Sequence, residues 1–188
     1  NRPDLRIIAL QRPFLEALTN LSKQLFYVTD EASSRMNLVR QVSAFLRNGG
    51  AVLTYPAGHI EPDPDLYTDA ADSLEKWTDS VGVFLRMSPE TPILPILVRG
   101  VIWKKAITHP LTRIRKTRLD REALAAAFQV FMMMRGKIKD MHIRAQIGNP
   151  IYAKQLGTTE TKIIHQSVLA EMKRLIQNPP TDHGKSIL

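Results

Sequence analysis

The chain of 188 residues contains no cysteine. This absence excludes disulfide bonds, thiolate metal sites and a cysteine nucleophile. Long apolar runs are also missing, because runs such as Ile93 to Val98 are far shorter than the roughly 20 residues that a membrane-spanning helix needs. With 44% hydrophobic and 23% charged residues, the composition is that of a soluble globular domain. We therefore predict a folded domain without a spanning helix.

Aromatic residues make up only 6% of the chain, whereas positive charge is in excess. Lys and Arg number 26 against 18 Asp and Glu, which gives a formal net charge of +8. Such an excess points to an anionic partner, either a nucleic acid or a phospholipid surface. Few aromatic rings leave few stacking platforms for bases, and no nucleic-acid-binding motif is present. Nucleic acid is therefore the less favoured partner.

The positive charge is concentrated in one segment. Residues 91–119 hold seven basic residues and no acidic residue, whereas residues 57–90 hold eight acidic and two basic residues. One interpretation is a solvated basic loop. The other is a patch that binds anionic lipid headgroups, which Trp103 favours because an indole ring suits the headgroup zone. The candidate membrane- or anion-binding residues are Trp103, Lys104, Lys105, Arg113, Arg115, Lys116 and Arg118.

An unusually apolar segment, residues 123–134 (ALAAAFQVFMMM), follows the basic one. A packed core is the commoner explanation of such a segment. The alternative is a methionine-rich face that receives acyl chains.

Hydrophobic periodicity predicts strands that alternate with helices. The predicted strands are Leu5–Leu10, Gln24–Thr29, Ala51–Tyr55, Thr91–Arg99 and Met141–Ile147. The predicted helices cover residues 33–48, a surface helix at 69–86, a helix capped by Asp120 at 120–135, and a last helix at 159–176. This order predicts a single α/β domain over residues 1–177, followed by a tail at 178–188. Because the chain enters a strand so soon after Asn1, we expect that further residues of the domain lie upstream.

The stretch from Thr54 to Pro64 (TYPAGHIEPDP) is the most informative part of the sequence. A strand that ends in Tyr-Pro-Ala-Gly places a turn of small residues where α/β sheets bind ligands. Gly58 would let a substrate approach the backbone closely. His59, Glu61 and Asp63 suit a general base with its partner or a metal cluster, although interleaved prolines equally suit a polar turn. Both interpretations stay open on pattern alone.

Four blocks of the chain, taken together, resemble the glycerolipid acyltransferase superfamily, which includes lysophospholipid and glycerol-3-phosphate acyltransferases. Tyr55 to Ile60 is similar to the family's Phe-Pro-Glu-Gly-Thr-Arg block, and Ile93 to Val98 to its Val-Pro-Val-like strand. Gln24 to Asp30 and Ile143 to Ile151 correspond to two further strands of the family. The resemblance implies a three-layer αβα domain with a mixed, mostly parallel sheet. It also implies an acyl-CoA or acyl carrier protein co-substrate, and neither a metal nor a bound cofactor.

The chain departs from the family pattern at the catalytic block, His-x4-Asp. None of its five histidines has Asp five positions later. We expect this pair upstream of residue 1, so the chain itself holds no predicted catalytic residue. Ala57, Ile60 and Asp30 stand where the family has Glu, Arg and Arg. The missing arginines disfavour a glycerol-phosphate acceptor and favour a lysophospholipid or aminolipid, with Glu61 or His59 assuming part of their role.

The resemblance therefore implies an acyltransferase that moves a fatty acyl group to a lysophospholipid or related lipid. Its acceptor would bind at Tyr55, Pro56, Ala57, Gly58, His59 and Glu61. We expect the protein in the cytoplasm, peripherally bound at the inner face of a membrane with an anionic surface. The alternative is a non-catalytic lipid-binding or scaffold domain that keeps the fold and has lost the base.

Overall fold

A computed structural model describes residues 3–29, 31–138 and 141–180. The strands are β1 (Leu5–Leu10), β2 (Leu25–Val28), β3 (Ala51–Leu53), β4 (Ile96–Arg99) and β5 (Arg144–Ile147). The helices of the first half are α1 (Pro13–Ala17), α2 (Thr19–Ser22), α3 (Ala32–Arg47), a 3-10 helix (Ala70–Lys76) and α4 (Ser80–Met87). Those of the second half are α5 (Lys104–Ile107), α6 (Pro110–Arg113), α7 (Arg118–Met134), α8 (Ala153–Leu156) and α9 (Thr161–Gln177). This alternation confirms the predicted α/β class.

The chain divides into two compact units. The first comprises Asn1–His59, Trp77–Leu94 and Asn149–Ala170, and the second Ile60–Lys76, Pro95–Gly148 and Glu171–Leu188. The single domain over residues 1–177 and the three-layer arrangement remain predictions. Of the predicted tail, residues 181–188 lie outside the described residues, as does Asp30.

The first unit contains a parallel sheet in the order β2-β1-β3. Ile7 of β1 is paired with Leu25 on one side and with Leu53 on the other. Parallel strands need crossover connections, which α1 and α2 supply between β1 and β2, while α3 connects β2 to β3 on the other side of β1. Its inward side chains pack with those of the strands and α4 in a core of Phe26, Leu38, Val42 and Phe84. This core therefore fixes the positions of the strand ends.

A second core of the first unit joins α4, α8 and α9. It consists of Leu85, Ala153 and Ile164, with Ile93 and Leu156 packed against it. Gly82 of α4 allows the close approach, because a Cβ at this position would lie 2.7 Å from the carbonyl oxygen of Thr161. Any larger residue at position 82 would push the two helices apart.

The second unit contains the antiparallel pair β4–β5, in which Ile96 is opposite Ile147 and Arg99 is opposite Arg144. Arg99 is only 2% exposed. Its guanidinium binds the Asp65 carboxylate at 3.0 Å and the backbone carbonyl of Leu175 in the last turn of α9 at 2.9 Å. Asp65 also binds Arg144 at 3.0 Å. The buried cation is thus paired with a carboxylate and a helix end, while its Nε has no hydrogen-bond partner among the described residues.

Two predicted features are wrong. The surface helix over residues 69–86 is a 3-10 helix and α4, separated by residues 77–79, and α4 buries Val81, Phe84 and Leu85. The Thr78 amide and hydroxyl both donate to the Pro56 carbonyl, at 3.1 and 3.2 Å, and this contact holds the chain between the two helices. The cap of α7 is Thr117 rather than Asp120, because its hydroxyl accepts from the Asp120 amide at 3.1 Å.

Candidate functional site

The carboxyl ends of β1, β2 and β3 meet at one edge of the parallel sheet. Open α/β sheets bind ligands at this edge, because the connecting loops there diverge from the strands. The residues that follow the three strands are Gln11 and Arg12, Thr29, and the turn that begins at Thr54. The predicted substrate turn and two loops that sequence reasoning did not single out therefore occupy the same edge.

A cavity of about 260 Å³ lies at the ends of β1 and β2. Its lining residues are Leu10, Gln11, Arg12, Val28 and Thr29. The Thr29 hydroxyl is buried and has no hydrogen-bond partner among the described residues. The Gln11 amide donates to the Glu16 carboxylate at 2.5 Å. The cavity thus presents a cation, an amide and an unpaired hydroxyl.

Among the described residues that line this cavity, Arg12 carries the only charge. A signal for it existed in the sequence, because Pro13 immediately after Arg12 marks the beginning of a helix and hence the end of the loop. Without the strand order, however, nothing distinguishes Arg12 from any other exposed arginine. The sheet topology supplies that distinction.

The predicted turn at Tyr55 to Gly58 closes with a hydrogen bond of 3.0 Å from the Gly58 amide to the Tyr55 carbonyl. Gly58 has φ of 66°, a left-handed conformation that glycine adopts without strain, and a Cβ there would meet nothing within 4 Å. Tyr55 and His59 are exposed, whereas Pro56 and Ala57 are partly buried. The turn is thus closed by a backbone hydrogen bond and open on one side.

His59 is oriented by its own turn. Its Nδ1 lies 2.7 Å from the Ala57 carbonyl oxygen, and since a carbonyl only accepts, Nδ1 donates. In the neutral ring this leaves Nε2 as the basic nitrogen. His59 is therefore held as an exposed proton acceptor.

The two carboxylates of the predicted cluster are held within the second unit. Glu61 accepts a hydrogen bond of 3.0 Å from the Ser73 hydroxyl. Asp63 is buried, and it accepts from the amides of Asp65 at 2.9 Å and Val101 at 3.0 Å. Both oxygens of Asp63 are thus occupied by the backbone, which is the role of a structural turn residue. Among the described residues no group of three or more His, Asp and Glu side chains suits a metal ion.

The basic segment lies on three short elements of the second unit. Lys104 and Lys105 are exposed on α5, and Lys105 Nζ lies 5.8 Å from the centre of the partly buried Trp103 ring. Arg113 is exposed at the end of α6, and Arg115 and Lys116 are exposed in the following turn. These five cations are exposed, which both sequence interpretations of the segment allow.

Arg118 is engaged within the protein. Its guanidinium binds the Glu122 carboxylate at 2.9 Å and the Ile60 carbonyl at 3.3 Å. The nearby Tyr67 hydroxyl has its pKa raised, first by burial and then by the charge and hydrogen bonding of Glu122. Arg118 therefore neutralises a buried carboxylate in this cluster.

The basic segment is attached firmly to α7. Gln129 accepts from the Trp103 amide at 2.7 Å and donates to the Val101 carbonyl at 3.1 Å. The His109 and Phe128 rings are 4.7 Å apart, and Arg121 donates to the Arg115 carbonyl at 2.7 Å. The basic segment and the apolar helix thus form one body.

Comparison with protein-family models, with curated proteins and with solved structures found no match to this chain. No helix in the parts of the chain that the structure describes is both long and apolar enough to cross a bilayer.

Proposed function

We propose that this chain is the acceptor-binding part of a membrane-surface acyltransferase that moves a fatty acyl group from acyl-CoA or an acyl carrier protein to a lysophospholipid or related lipid. The observation that carries the proposal is the open, hydrogen-bonded Tyr55–Gly58 turn at the carboxyl edge of a parallel sheet. The acyltransferase chemistry itself rests on the four-block resemblance. In that chemistry the acceptor's hydroxyl or amine attacks the thioester carbonyl, a base takes its proton, and the thiol leaves.

The residues of this chain would bind and orient the acceptor, and none of them is assigned the role of the base. The open side of Gly58 leaves room for an acceptor against the backbone. Arg12 supplies a guanidinium at the same sheet edge, which suits a phosphate of the acceptor or of CoA. In this proposal Arg12 therefore binds phosphate, the role that the family pattern assigns to arginines that this sequence lacks.

The test is acyl transfer by the natural polypeptide, with labelled acyl-CoA or acyl carrier protein and lysophospholipid in vesicles. Gly58→Asn adds a side chain on the open face while keeping the left-handed conformation, which asparagine tolerates and a β-branched residue does not. We expect transfer to fall by about a hundredfold through misplacement of the acceptor. Gly157→Asn is the matched control, because Gly157 has φ of 64° and equally open space.

Unfolding midpoints of both variants are measured beside the activity. Loss of activity in Gly58→Asn alone, with both midpoints near that of the wild type, supports the proposal. Equal activity in the two variants would show that the turn is only structural. Absence of any transfer from either donor, together with retained vesicle binding, would favour the alternative of a non-catalytic lipid-binding domain. That alternative stays open because the basic segment is firmly attached to α7, and a membrane surface can be bound without a catalytic base.

A further inference from the structure

The outward face of α7 is apolar along most of its length. From residue 123 onward its exposed positions are Ala123, Ala126, Ala127, Val130, Phe131, Met133 and Met134. These positions recur at three- and four-residue spacing, so that they form one stripe along the helix. Met134 is 83% exposed. An exposed apolar stripe of this kind on a folded protein marks a surface that binds another protein, a membrane or a ligand.

The stripe is not the core-packing face of α7. The inward face of α7 already packs against the second unit through Ala125 and Gln129, and Gln129 is satisfied by two backbone groups. Turning the helix would bury apolar side chains only by breaking those hydrogen bonds. The apolar stripe is therefore exposed while the polar contacts of the opposite face are kept.

Cations border the stripe at both of its ends. Before α7, Ile114 is 74% exposed and stands between the exposed Arg113 and Arg115. At the other end, the Arg135 guanidinium lies 4.4 Å from the centre of the Phe131 ring. Long cationic side chains beside apolar ones suit the boundary between headgroups and acyl chains, because the apolar part inserts while the charge reaches the phosphates.

Charge complementarity selects the occupant of this surface. A two-fold dimer through the same face would bring the exposed cations of both copies together, and like charges at an interface oppose association. An anionic bilayer instead offers negative headgroups to the basic segment and acyl chains to the stripe. Residues 91–119 contain no acidic side chain that would oppose this contact.

We propose that α7 lies in the plane of an anionic phospholipid leaflet and inserts its Ala123–Met134 stripe among the acyl chains, while the basic segment binds the headgroups. The inference deepens the membrane part of the proposed function. It is measured without an acyl donor, so its failure is distinguishable from failure of the acyl-transfer proposal.

The absence of cysteine makes a direct test available. Met134→Cys and Met36→Cys each create a single thiol for an environment-sensitive fluorophore. Met36 is the matched control, since it is 56% exposed on another helix, α3. Vesicles of phosphatidylcholine with phosphatidylglycerol should shift the emission of the label at position 134 to shorter wavelength and leave that at position 36 unchanged.

A second set of variants separates the two parts of the surface. We expect Met133→Gln with Met134→Gln to weaken binding to these vesicles by roughly tenfold, because two inserted apolar side chains are lost. Met36→Gln should bind as the wild type does. Lys104→Gln with Lys105→Gln should also weaken binding by roughly tenfold, and rising salt should reduce this difference.

Three results would overturn the proposal. Equal shifts at both labelled positions would mean that the contact is unspecific, and no shift at position 134 would mean that the stripe does not insert. A shift that grows with protein concentration in the absence of lipid would assign the stripe to a second copy of the chain. A shift at position 134 that needs phosphatidylglycerol and disappears in pure phosphatidylcholine supports the proposal.

Discussion

Helices α7 and α9 both have 17 residues, yet they present opposite faces to solvent. Helix α9 follows the usual pattern, with Ile164, Val168, Met172 and Leu175 buried and Lys162, Gln166, Lys173 and Arg174 among its exposed residues. Helix α7 buries Glu122, Ala125 and Gln129 and exposes Met133 and Met134. The comparison teaches that the more apolar face of a helix is not always the inward one.

The reason lies in the partners of the inward polar groups. A buried polar side chain is tolerated when it is hydrogen-bonded, and Gln129 binds two backbone groups while Glu122 binds Arg118. These bonds connect α7 to the basic segment. The burial of α9 rests on apolar side chains instead, with one buried cation at its end. The two helices should therefore respond differently to the same substitution.

The largest effect is expected at the end of α9. Arg99→Ala removes a buried guanidinium that binds Asp65 and the Leu175 carbonyl, and it should lower the free energy of unfolding by about 3 kcal/mol. Arg174→Ala is the control on the same helix end, because Arg174 binds Glu171 at the exposed surface. Denaturant unfolding of both variants measures the difference. Similar stabilities for the two would mean that the buried cation does not stabilise the end of α9.

The next prediction compares methionines on the two helices. Met172 of α9 is 4% exposed, whereas Met133 of α7 is 51% exposed. We expect Met172→Ala to cost about 2 kcal/mol through loss of packing, and Met133→Ala to change stability by less than about 0.5 kcal/mol. Denaturant midpoints without lipid check both values. A large cost at Met133 would show that its side chain is packed in solution and would contradict an exposed stripe.

The smallest effect is expected at Tyr67, which lies beside Glu122 on the inward side of α7. The pKa of Tyr67 is raised above its ordinary value of 10.0 by burial and by Glu122. As pH rises through the ordinary tyrosine pKa, the Tyr67 hydroxyl loses its proton in the unfolded chain before it does so in the folded chain. The unfolded state then binds fewer protons, so the free energy of unfolding falls as pH rises. Tyr67→Phe should therefore show a shallower decline of stability with rising pH than the wild type. Unfolding measured across the alkaline range checks the two slopes, and equal slopes would contradict the raised pKa.

Much of the fold could be predicted from local pattern. The β1 strand was predicted with its observed ends, and the helices over residues 33–48 and 159–176 correspond to α3 and α9. The break between the 3-10 helix and α4 could not be predicted, because it depends on the Pro56 carbonyl, which is distant in the sequence. Thr117 rather than Asp120 caps α7 for a local reason: threonine is also a favoured N-cap residue, and the Thr117 hydroxyl is the one that accepts a hydrogen bond from the first turn.

The candidate site likewise has a part that could be predicted from the sequence and a part that could not. The turn at Tyr55 to Gly58 was recognised from its residues, and the five exposed cations of the basic segment lie where an anionic surface could meet them. Sequence reasoning missed Arg12 and the unpaired Thr29 hydroxyl, which only the order of the parallel strands brings to the cavity. It also counted Arg118 among the candidate anion-binding residues, and the structure pairs this guanidinium with Glu122.

By itself, the sequence determined the α/β class, the main strands and long helices, and the segregation of positive charge, because periodicity and composition are local properties. The tertiary structure decided which face of each helix is inward, which polar groups are satisfied, and which loops share a sheet edge. These depend on partners that are distant in the chain. The hydrogen bonds of Gln129 are the clearest case, since they help to fix which face of α7 is inward and so leave an apolar face exposed.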